Sequence, residues 1–318
     1  MRIGVLGTAE VALRRFCPAL MHCCSVEFAG IASRNPEKAV KFTDLFGGKI
    51  YCDYDSLLDD ENIECVYIPL PPALHFEWAK KALQANKHVM LEKPFTLTLN
   101  DTKQLIDLAK TKELALHENY MFLYHSQMDF ICNRLSCLGD IRIVRIDFGF
   151  PFRGNNDFRY NMLLGGGALY DCGGYPLKLA SLILGNTARI TNAVLGYKQG
   201  IEVDINGSAT LQNDEGLVAQ IAFGMDNSYR CKLDIWGSHS SLVTDRIFTA
   251  PDGFEPTVYV HTSDSVLDFK LECDNSFIKS IMHFVHCIQD KKVMEDNYVE
   301  IIKQAELLEQ FKYYAKSE

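Results

Sequence analysis

Three side chains that can donate or hold a proton stand where the local sequence departs from ordinary secondary structure. Lys93 comes near the end of His88–Pro94, HVMLEKP, where a proline follows it. Asp171 and Tyr175 lie in the glycine-rich stretch Gly165–Pro176, GGGALYDCGGYP. An ammonium beside a phenol stabilises the phenolate, and either group can give a proton to a carbonyl oxygen that gains negative charge. These three residues are therefore candidate catalytic groups.

The stretch Gly165–Pro176 predicts the start of a helix that continues to Leu184. Glycine costs about 1 kcal/mol and proline about 3 kcal/mol in a helix interior, so this start gives up local stability for another purpose. Asp171 and Tyr175 are four residues apart and share one helix face. The three leading glycines allow the backbone to approach a ligand closely. Alternatively, Asp171 caps an interrupted helix and Tyr175 is a buried aromatic with a satisfied hydroxyl.

Length and charge limit the classes of function. The 318 residues, 47% of them hydrophobic, suffice for two domains of the usual roughly 100–200 residues. Lys and Arg number 32 against 41 Asp and Glu, a formal net charge of −9. Such a charge disfavours binding to nucleic acid or to an anionic membrane, and no apolar run reaches the roughly 20 residues of a membrane span. We therefore expect neither nucleic acid nor membrane as a partner.

The cysteines favour reduced thiols over a disulfide framework or a zinc site. There are 11, scattered along the chain without a Cys-x-x-Cys pair. His283 and His286, three apart on a predicted helix, are interpreted as ordinary helix-face residues. Met1 leads into a strand without a preceding signal peptide. These features predict a cytoplasmic protein with no bound metal.

Residues 1–119 predict a dinucleotide-binding domain of the Rossmann type. Apolar and β-branched runs alternate with helical patterns, which is typical of a doubly wound parallel sheet with a ligand crevice at the carboxyl ends of its strands. The predicted strands are Arg2–Gly7, Val26–Ser33, Ile63–Leu70, His88–Leu91 and Glu113–Asn119. The predicted helices are Thr8–Cys24, Pro36–Phe46, Pro72–Asn86 and Leu99–Lys112.

A degraded dinucleotide fingerprint opens this domain. The sequence GTAEVA at 7–12 stands where Gly-x-Gly-x-x-Gly/Ala is expected. Gly7 permits the tight turn and Ala12 permits close helix packing, whereas Ala9 replaces the glycine that lets the main chain touch a pyrophosphate. The flanking strand and helix favour a dinucleotide, and an ordinary βαβ unit without one is the alternative. We expect Gly7, Thr8 and Ala9 to bind the cofactor.

The end of the second strand predicts which dinucleotide binds. An acidic residue there would accept a hydrogen bond from the ribose and repel a 2′-phosphate, but this chain has Ser33 and Arg34. A hydroxyl and a guanidinium suit a phosphate. The predicted cofactor is therefore NADP, and the alternative is that Arg34 is a solvated loop residue.

Two later strand ends add residues to the same crevice. Leu70 and His75 follow one strand, and Glu92 and Lys93 follow the next. Because the carboxyl ends of parallel strands meet at one edge of a sheet, we expect all four residues at the cofactor. Pro94 holds Lys93 out of helical geometry and permits a cis bond. An ordinary surface ion pair is the alternative for Glu92 and Lys93.

Residues 120–318 predict an α+β domain for substrate binding and assembly. The pattern changes to period two, which indicates a mostly antiparallel open sheet, one face of which the helix near Gly167 covers. Asn275–Gln289 and Glu295–Ala315 are predicted amphipathic helices. The predicted strands are Ile141–Phe150, Ile190–Gly196, Gly207–Gln212, Leu217–Phe223, Tyr229–Gly237, Ser241–Asp245 and Val258–His261.

Three ordered motifs carry a family resemblance over nearly the whole chain. They are PLP at 69–71 with His75, KHVMLEKP at 87–94, and GGGALYDCGGYP at 165–176. Together they resemble the Gfo/Idh/MocA family of NAD(P)-dependent sugar oxidoreductases. The segments NYMF at 119–122 and DFRY at 157–160 are most similar to its 3-ketoreductases of dTDP-linked keto-deoxysugars. The resemblance implies that Lys93 is the catalytic lysine with Tyr175 beside it. It also implies that Arg159 and Asp171 contact cofactor or substrate near the nicotinamide.

The resemblance also implies an activity. We expect an NADP-dependent oxidoreductase that moves a hydride between the nicotinamide and a sugar carbonyl or hydroxyl, with a 3-keto nucleotide deoxysugar as the leading substrate. A dihydrodiol or aldose dehydrogenase of the same family and a non-catalytic NADP-binding sensor are the alternatives. Arg15 and Arg230 are candidate donors to a substrate diphosphate. Because open sheets in this family pair between subunits, a homodimer or homotetramer through the second-domain sheet is expected.

Overall fold

The computed structural model describes residues 1–154 and 156–316, which form two compact units. The first unit comprises Met1–Met121 and Phe277–Ala305, and the second comprises Phe122–Ser276 with the residues from Glu306 onward. Each unit contains one large sheet. Within the described residues, every helix is too short or too polar to cross a membrane.

The first unit contains six strands, β1 (Arg2–Leu6), β2 (Glu27–Ala32), β3 (Lys49–Tyr51), β4 (Cys65–Ile68), β5 (His88–Leu91) and β6 (Leu116–Glu118). All are parallel, in the order β3-β2-β1-β4-β5-β6. The strand order reverses beside β1, which is where doubly wound sheets bind their ligands. The predicted Rossmann-type sheet is confirmed. The three-residue β3 was not predicted because it is too short to show a period.

The helices of this sheet are α1 (Cys17–Leu20), α2 (Pro36–Phe46), α3 (Tyr54–Leu58), α4 (His75–Gln84) and α5 (Leu99–Lys112). A π-helical segment, Ala12–Phe16, precedes α1. Both α2 and α5 have the predicted bounds. The side chains of Asn35 and Thr98 accept hydrogen bonds from the amides of Lys38 and Asp101, which caps these two helices at their first residues.

The described residues of the second unit contain eight strands, β7 (Ile141–Gly149), β8 (Arg189–Tyr197), β9 (Asp204–Gln212), β10 (Val218–Gly224), β11 (Arg230–Gly237), β12 (Ser241–Asp245), β13 (Thr257–His261) and β14 (Val266–Lys270). They form one sheet in the order β14-β13-β12-β11-β7-β10-β9-β8. β10 pairs with β7 in parallel, and the remaining neighbours are antiparallel. The predicted mostly antiparallel sheet is confirmed. The edge strand β14 is mostly exposed, lacks the alternation of a half-buried strand, and was not predicted.

Helices α6 (Ser126–Cys132) and α7 (Gly174–Leu184) accompany this sheet. A π-helical segment, Leu169–Gly173, runs directly into α7, which packs on β7 and β10. Gly173 permits this packing, because a Cβ at this position would lie 2.8 Å from the ring of Phe223 on β10. The glycine in the predicted helix therefore serves close contact between helix and sheet.

The last two helices are α8 (Ser276–Gln289) and α9 (Lys291–Ala315). We expected residues 120–318 to form the second domain, but residues 277–305 belong to the first unit. Phe277, Ile281 and Phe284 are buried in the core of the first sheet. Their amphipathic spacing predicts a helix with one buried face, but it does not predict which sheet the helix packs on, because each sheet has an apolar face that a helix must cover.

Candidate active site

The turn after β1 has the geometry that a dinucleotide fingerprint requires. Gly7 has a φ of 97°, and its amide donates to the carbonyl oxygen of Ala32 at 2.9 Å. A Cβ at Gly7 would lie 2.7 Å from Leu70, so only glycine fits. Thr8 and Ala9 then lead into the helix, and the Ala9 carbonyl accepts from the amide of Ala12 at 3.0 Å. The unpaired amides at such a helix start favour an anion.

Ser33 and Arg34 occupy different environments at the end of β2. Ser33 is only 4% exposed, and its hydroxyl donates to the carbonyl oxygen of Asn35 at 2.9 Å. The Ser33 hydroxyl oxygen in turn accepts from the amide of Asn35 at 3.0 Å. Arg34 is exposed. The serine therefore shapes the loop, and the guanidinium is the group that can reach a phosphate.

His75 is fully buried and joins two loops of the first unit. Its Nδ1 lies 2.8 Å from the carbonyl oxygen of Pro94, and its Nε2 lies 2.7 Å from that of Leu70. A neutral imidazole can donate only one of these two hydrogen bonds. Burial lowers the pKa of His75, and the carbonyl oxygens oppose that shift. We expected His75 at the cofactor; both ring nitrogens face the backbone, so its contribution is to fix the loops at Leu70 and Pro94.

Glu92 holds the segment that carries Lys93. Its Oε1 accepts from the hydroxyl of Tyr67 at 2.6 Å and from Nδ2 of Asn119 at 2.6 Å. Burial outweighs the other effects and raises the pKa of Glu92, although these hydrogen bonds, the charge of Lys93 and the Lys93 amide each act to lower it. A surface ion pair does not describe this carboxylate. The peptide bond from Lys93 to Pro94 is cis, as the sequence allowed.

In the second unit, Arg159 pairs with two carboxylates. Its Nε donates to Asp171 at 2.8 Å and its Nη1 to Asp157 at 3.1 Å. The Asp171 side chain is only 10% exposed. The sequence predicted Asp171 and Arg159 separately as ligand contacts, and the structure brings them together. Asp171 thus takes part in an ion pair with Arg159.

The leading glycines approach the protein's own chain. A Cβ at Gly166 would lie 2.4 Å from the carbonyl oxygen of Arg159, and one at Gly167 would lie 2.5 Å from Oδ1 of Asp204. Oδ2 of Asp204 accepts from the amide of Leu169 at 2.7 Å. Asp204 therefore caps the start of the helix that carries Asp171. Nothing in the sequence marked Asp204, because it comes from the first residue of a distant strand.

Asp204→Asn is expected to flatten the pH dependence of stability between about pH 4 and pH 6. Burial raises the pKa of Asp204 from 3.8 to about 6, so the folded state binds a proton that the unfolded state has lost. The contribution of this group to the free energy of unfolding falls by about 1.4 kcal/mol per pH unit as the pH rises through this range. Urea unfolding of wild type and variant measures the two slopes. Equal slopes would contradict the raised pKa.

Tyr175 is held among aromatic rings of the second unit. Its ring centroid lies 5.2 Å from that of Phe148, 5.5 Å from that of Phe248 and 5.8 Å from that of Phe122. Such packing fixes the ring plane. Tyr175 follows the π-helical segment Leu169–Gly173, and single π turns are frequent at functional sites. The segment after the fingerprint, Ala12–Phe16, has the same geometry.

The residues predicted for the site divide between the two units. Those of the fingerprint, the β2 end and the two later strand ends lie in the first unit, and Arg159, Asp171 and Tyr175 lie in the second. Among the residues that the structure describes, no three or more His, Cys, Asp or Glu side chains are grouped to hold a metal. Arg230, a candidate for a substrate diphosphate, pairs with Asp147 at 2.8 Å on the sheet.

Comparison with known proteins identifies the family. The model for the GFO_IDH_MocA oxidoreductase family with an NAD-binding Rossmann fold matches residues 1–120, and the model for the GFO/IDH/MocA C-terminal domain matches residues 136–243. The chain is 37% identical to the dTDP-3,4-didehydro-2,6-dideoxy-alpha-D-glucose 3-reductase of Saccharopolyspora spinosa, over 97% of this chain and 96% of that protein.

A solved structure and a further relative extend this result. KijD10, a 3-ketoreductase from Actinomadura kijaniata in complex with NADP and TDP-benzene, has a TM-score of 0.95 and 35% identity, covering 98% of this chain and 97% of that one. Its structures include a tyrosine-to-phenylalanine and a lysine-to-alanine variant. A D-xylose 1-dehydrogenase (NADP(+)) of Haloferax volcanii is 31% identical over 71% of this chain and 70% of that protein. By fold, motifs and full-length similarity, the chain belongs to the Gfo/Idh/MocA family of oxidoreductases.

Proposed function

We propose that this oxidoreductase uses NADPH to reduce the keto group of a dTDP-linked 3-keto-deoxysugar. The observation that most supports this proposal is the full-length similarity to KijD10, a 3-ketoreductase whose structure was solved with NADP and TDP-benzene. The residues of the first unit fit a dinucleotide, since Gly7 forms a turn that a Cβ would block and Arg34 presents an exposed guanidinium.

We assign the proton transfer to Lys93 and Tyr175. Bound NADPH supplies the hydride, and the carbonyl oxygen then gains negative charge. The Lys93 ammonium or the Tyr175 hydroxyl donates a proton to this oxygen. Glu92 fixes the Lys93 backbone, and three aromatic rings fix Tyr175. A lysine and a tyrosine are also the residue types replaced in the KijD10 variants.

The wild type is expected to bind NADPH at least tenfold more tightly than NADH. A guanidinium that contacts a phosphate forms a charge-assisted hydrogen bond of about 1.5–3 kcal/mol, roughly 10- to 150-fold in affinity. The hydroxyl of Ser33 is used within its own loop, so this preference rests on Arg34. Replacing Ser33→Asp together with Arg34→Ala should reverse the order. Fluorescence titration with both cofactors measures it, and equal affinities in the wild type would mean that Arg34 faces solvent in the complex.

Aldose oxidation is the second candidate activity. It is favoured by the similarity to the D-xylose 1-dehydrogenase (NADP(+)) of Haloferax volcanii. Competition between a dTDP-keto-deoxysugar and xylose or glucose as turnover substrates separates the two activities. We expect the enzyme to turn over the nucleotide sugar faster than either free sugar. A protein that binds NADPH but turns over none of these compounds would be a cofactor sensor.

We further propose a homo-oligomer formed through the outer face of the second sheet. Val194, Trp236 and Tyr259 are 42%, 56% and 41% exposed on that face. Sedimentation equilibrium of wild type and Trp236→Glu tests this, since a buried charge would dissociate the assembly.

We also propose a reducing, cytoplasmic location, because all 11 cysteines are free.

A further inference from the structure

A chain of buried hydrogen bonds leads from Glu92 to helix α8. Asn119 donates to Glu92 through Nδ2 at 2.6 Å, and its Oδ1 accepts from the hydroxyl of Ser280 at 2.8 Å. The Ser280 oxygen lies 2.9 Å from Nε2 of His117. Because Ser280 donates to Asn119, its oxygen is available to accept from His117. Each donor in this chain therefore points toward the Glu92 carboxylate.

Tyr67 completes the set of donors from the other side. It is fully buried, its ring stacks on Phe16 with centroids 3.7 Å apart, and its hydroxyl donates to Glu92 at 2.6 Å. A tyrosine and an amide from two different strand ends thus converge on one carboxylate oxygen. Hydrogen bonds of this kind favour the ionised carboxylate over the neutral form.

The charge of Glu92 matters because the Lys93 amide donates a hydrogen bond to the Glu92 carboxylate and the Lys93 charge acts on it. An anion beside an ammonium favours the protonated lysine, and a protonated lysine is what donation to a ketone oxygen requires. We propose that Tyr67, Asn119 and Ser280 are positioning residues that oppose the effect of burial on Glu92, favour its ionised form and thereby favour the protonated form of Lys93. The proposal rests on the proposed role of Lys93, and it connects helix α8 to the residues that favour protonated Lys93.

Other titratable groups also influence this cluster. Glu92 is influenced by Tyr67 from β4 and by Lys93 from its own loop. Tyr67 is influenced in addition by Cys17 of α1, and burial is the main reason that its pKa is raised. Lys93 also acts on His75, whose pKa the charge of the lysine lowers. His117 joins the cluster through Ser280.

The test measures the titration of Lys93 without substrate or cofactor. Full-length protein is labelled with acetic anhydride across a pH series, and the Lys93 peptide is quantified by mass spectrometry. Tyr67→Phe keeps the buried ring and removes the hydroxyl, so the labelling midpoint of Lys93 should fall by about half a pH unit or more. Tyr51→Phe is the matched control, since Tyr51 is a buried tyrosine of the same sheet that donates to Asp60 at 2.6 Å.

A lower midpoint in Tyr67→Phe alone supports the proposal, and equal midpoints in wild type, Tyr67→Phe and Tyr51→Phe overturn it. An equal fall in both variants also overturns it. Should Tyr67→Phe fail to fold, Ser280→Ala takes its place, with a lower midpoint expected and recovery in Ser280→Thr, which retains a hydroxyl. A Lys93 midpoint unchanged in Ser280→Ala then overturns the proposal.

Kinetics add a second readout. Under the proposal, the alkaline limb of kcat/KM for ketone reduction shifts to lower pH in Tyr67→Phe and stays in place in Tyr51→Phe. If the wild type reduces no keto-sugar, the proposed function is refuted. The labelling result would still show whether Tyr67 affects the titration of Lys93, because labelling needs neither substrate nor cofactor. The two failures are therefore distinguishable.

Discussion

Replacing Lys93 with methionine is expected to lower kcat for ketone reduction by about 10²- to 10⁴-fold, the usual contribution of general acid catalysis. Methionine preserves much of the side-chain length but has no proton to donate. Lys93 lies beyond the last residue of β5 and is only partly buried, so the fold should survive. Steady-state kinetics with NADPH and a dTDP-keto-deoxysugar give the loss, and fluorescence titration should show NADPH affinity within about threefold of wild type, less than 1 kcal/mol.

Tyr175→Phe is the companion variant. Phenylalanine retains the contacts with Phe122, Phe148 and Phe248 and removes only the hydroxyl. If the two groups act as one unit, the double variant should be no slower than the slower single variant. Reduction by both single variants within about threefold of wild type would refute the assignment, because acid catalysis is worth far more than that.

Arg159→Met is expected to destabilise the second unit by about 2–4 kcal/mol, because it leaves two largely buried carboxylates without their cation. Asp157 and Asp171 are 20% and 10% exposed, and Arg159 itself is 21% exposed. Without the guanidinium, the carboxylates of Asp157 and Asp171 would repel each other with no positive charge between them. Urea unfolding at neutral pH measures the loss of stability. Arg159→Lys should recover only part of this loss, because an ammonium lacks the forked donors with which the guanidinium contacts both carboxylates.

Arg142→Met is the matched control for this prediction. Arg142 pairs with Asp140 at 3.4 Å in the same unit, but the two side chains are 61% and 79% exposed. Exposed pairs contribute about 0–1 kcal/mol. If Arg159→Met and Arg142→Met unfold at the same urea concentration, the Arg159 cluster does not stabilise the fold, and its carboxylates are held by other contacts.

The sequence determined the elements that local chemistry defines. The bounds of α2, α5 and β5 were predicted to the residue, because caps and alternation act between neighbours along the chain. The type of each sheet followed from hydrophobic periodicity, with strand and helix patterns alternating in residues 1–119 and period two after residue 120. The family followed from ordered motifs along the chain. Gly7 was explained in advance, since its turn requires a positive φ.

Only the tertiary structure decided which distant groups meet. The capping of the Leu169 amide by Asp204, the link from Ser280 to Asn119 and the pairing of Asp171 with Arg159 all join residues that no period or spacing connects. The glycines at 166 and 167 were expected to face a ligand, and they face the protein's own chain. The apolar stripe of helix α8 could pack against the sheet of either unit. The sequence of α8 therefore specified that one face is buried, but not which sheet buries it. Packing selects the partner through the shape of a whole core, which is a property of many residues at once.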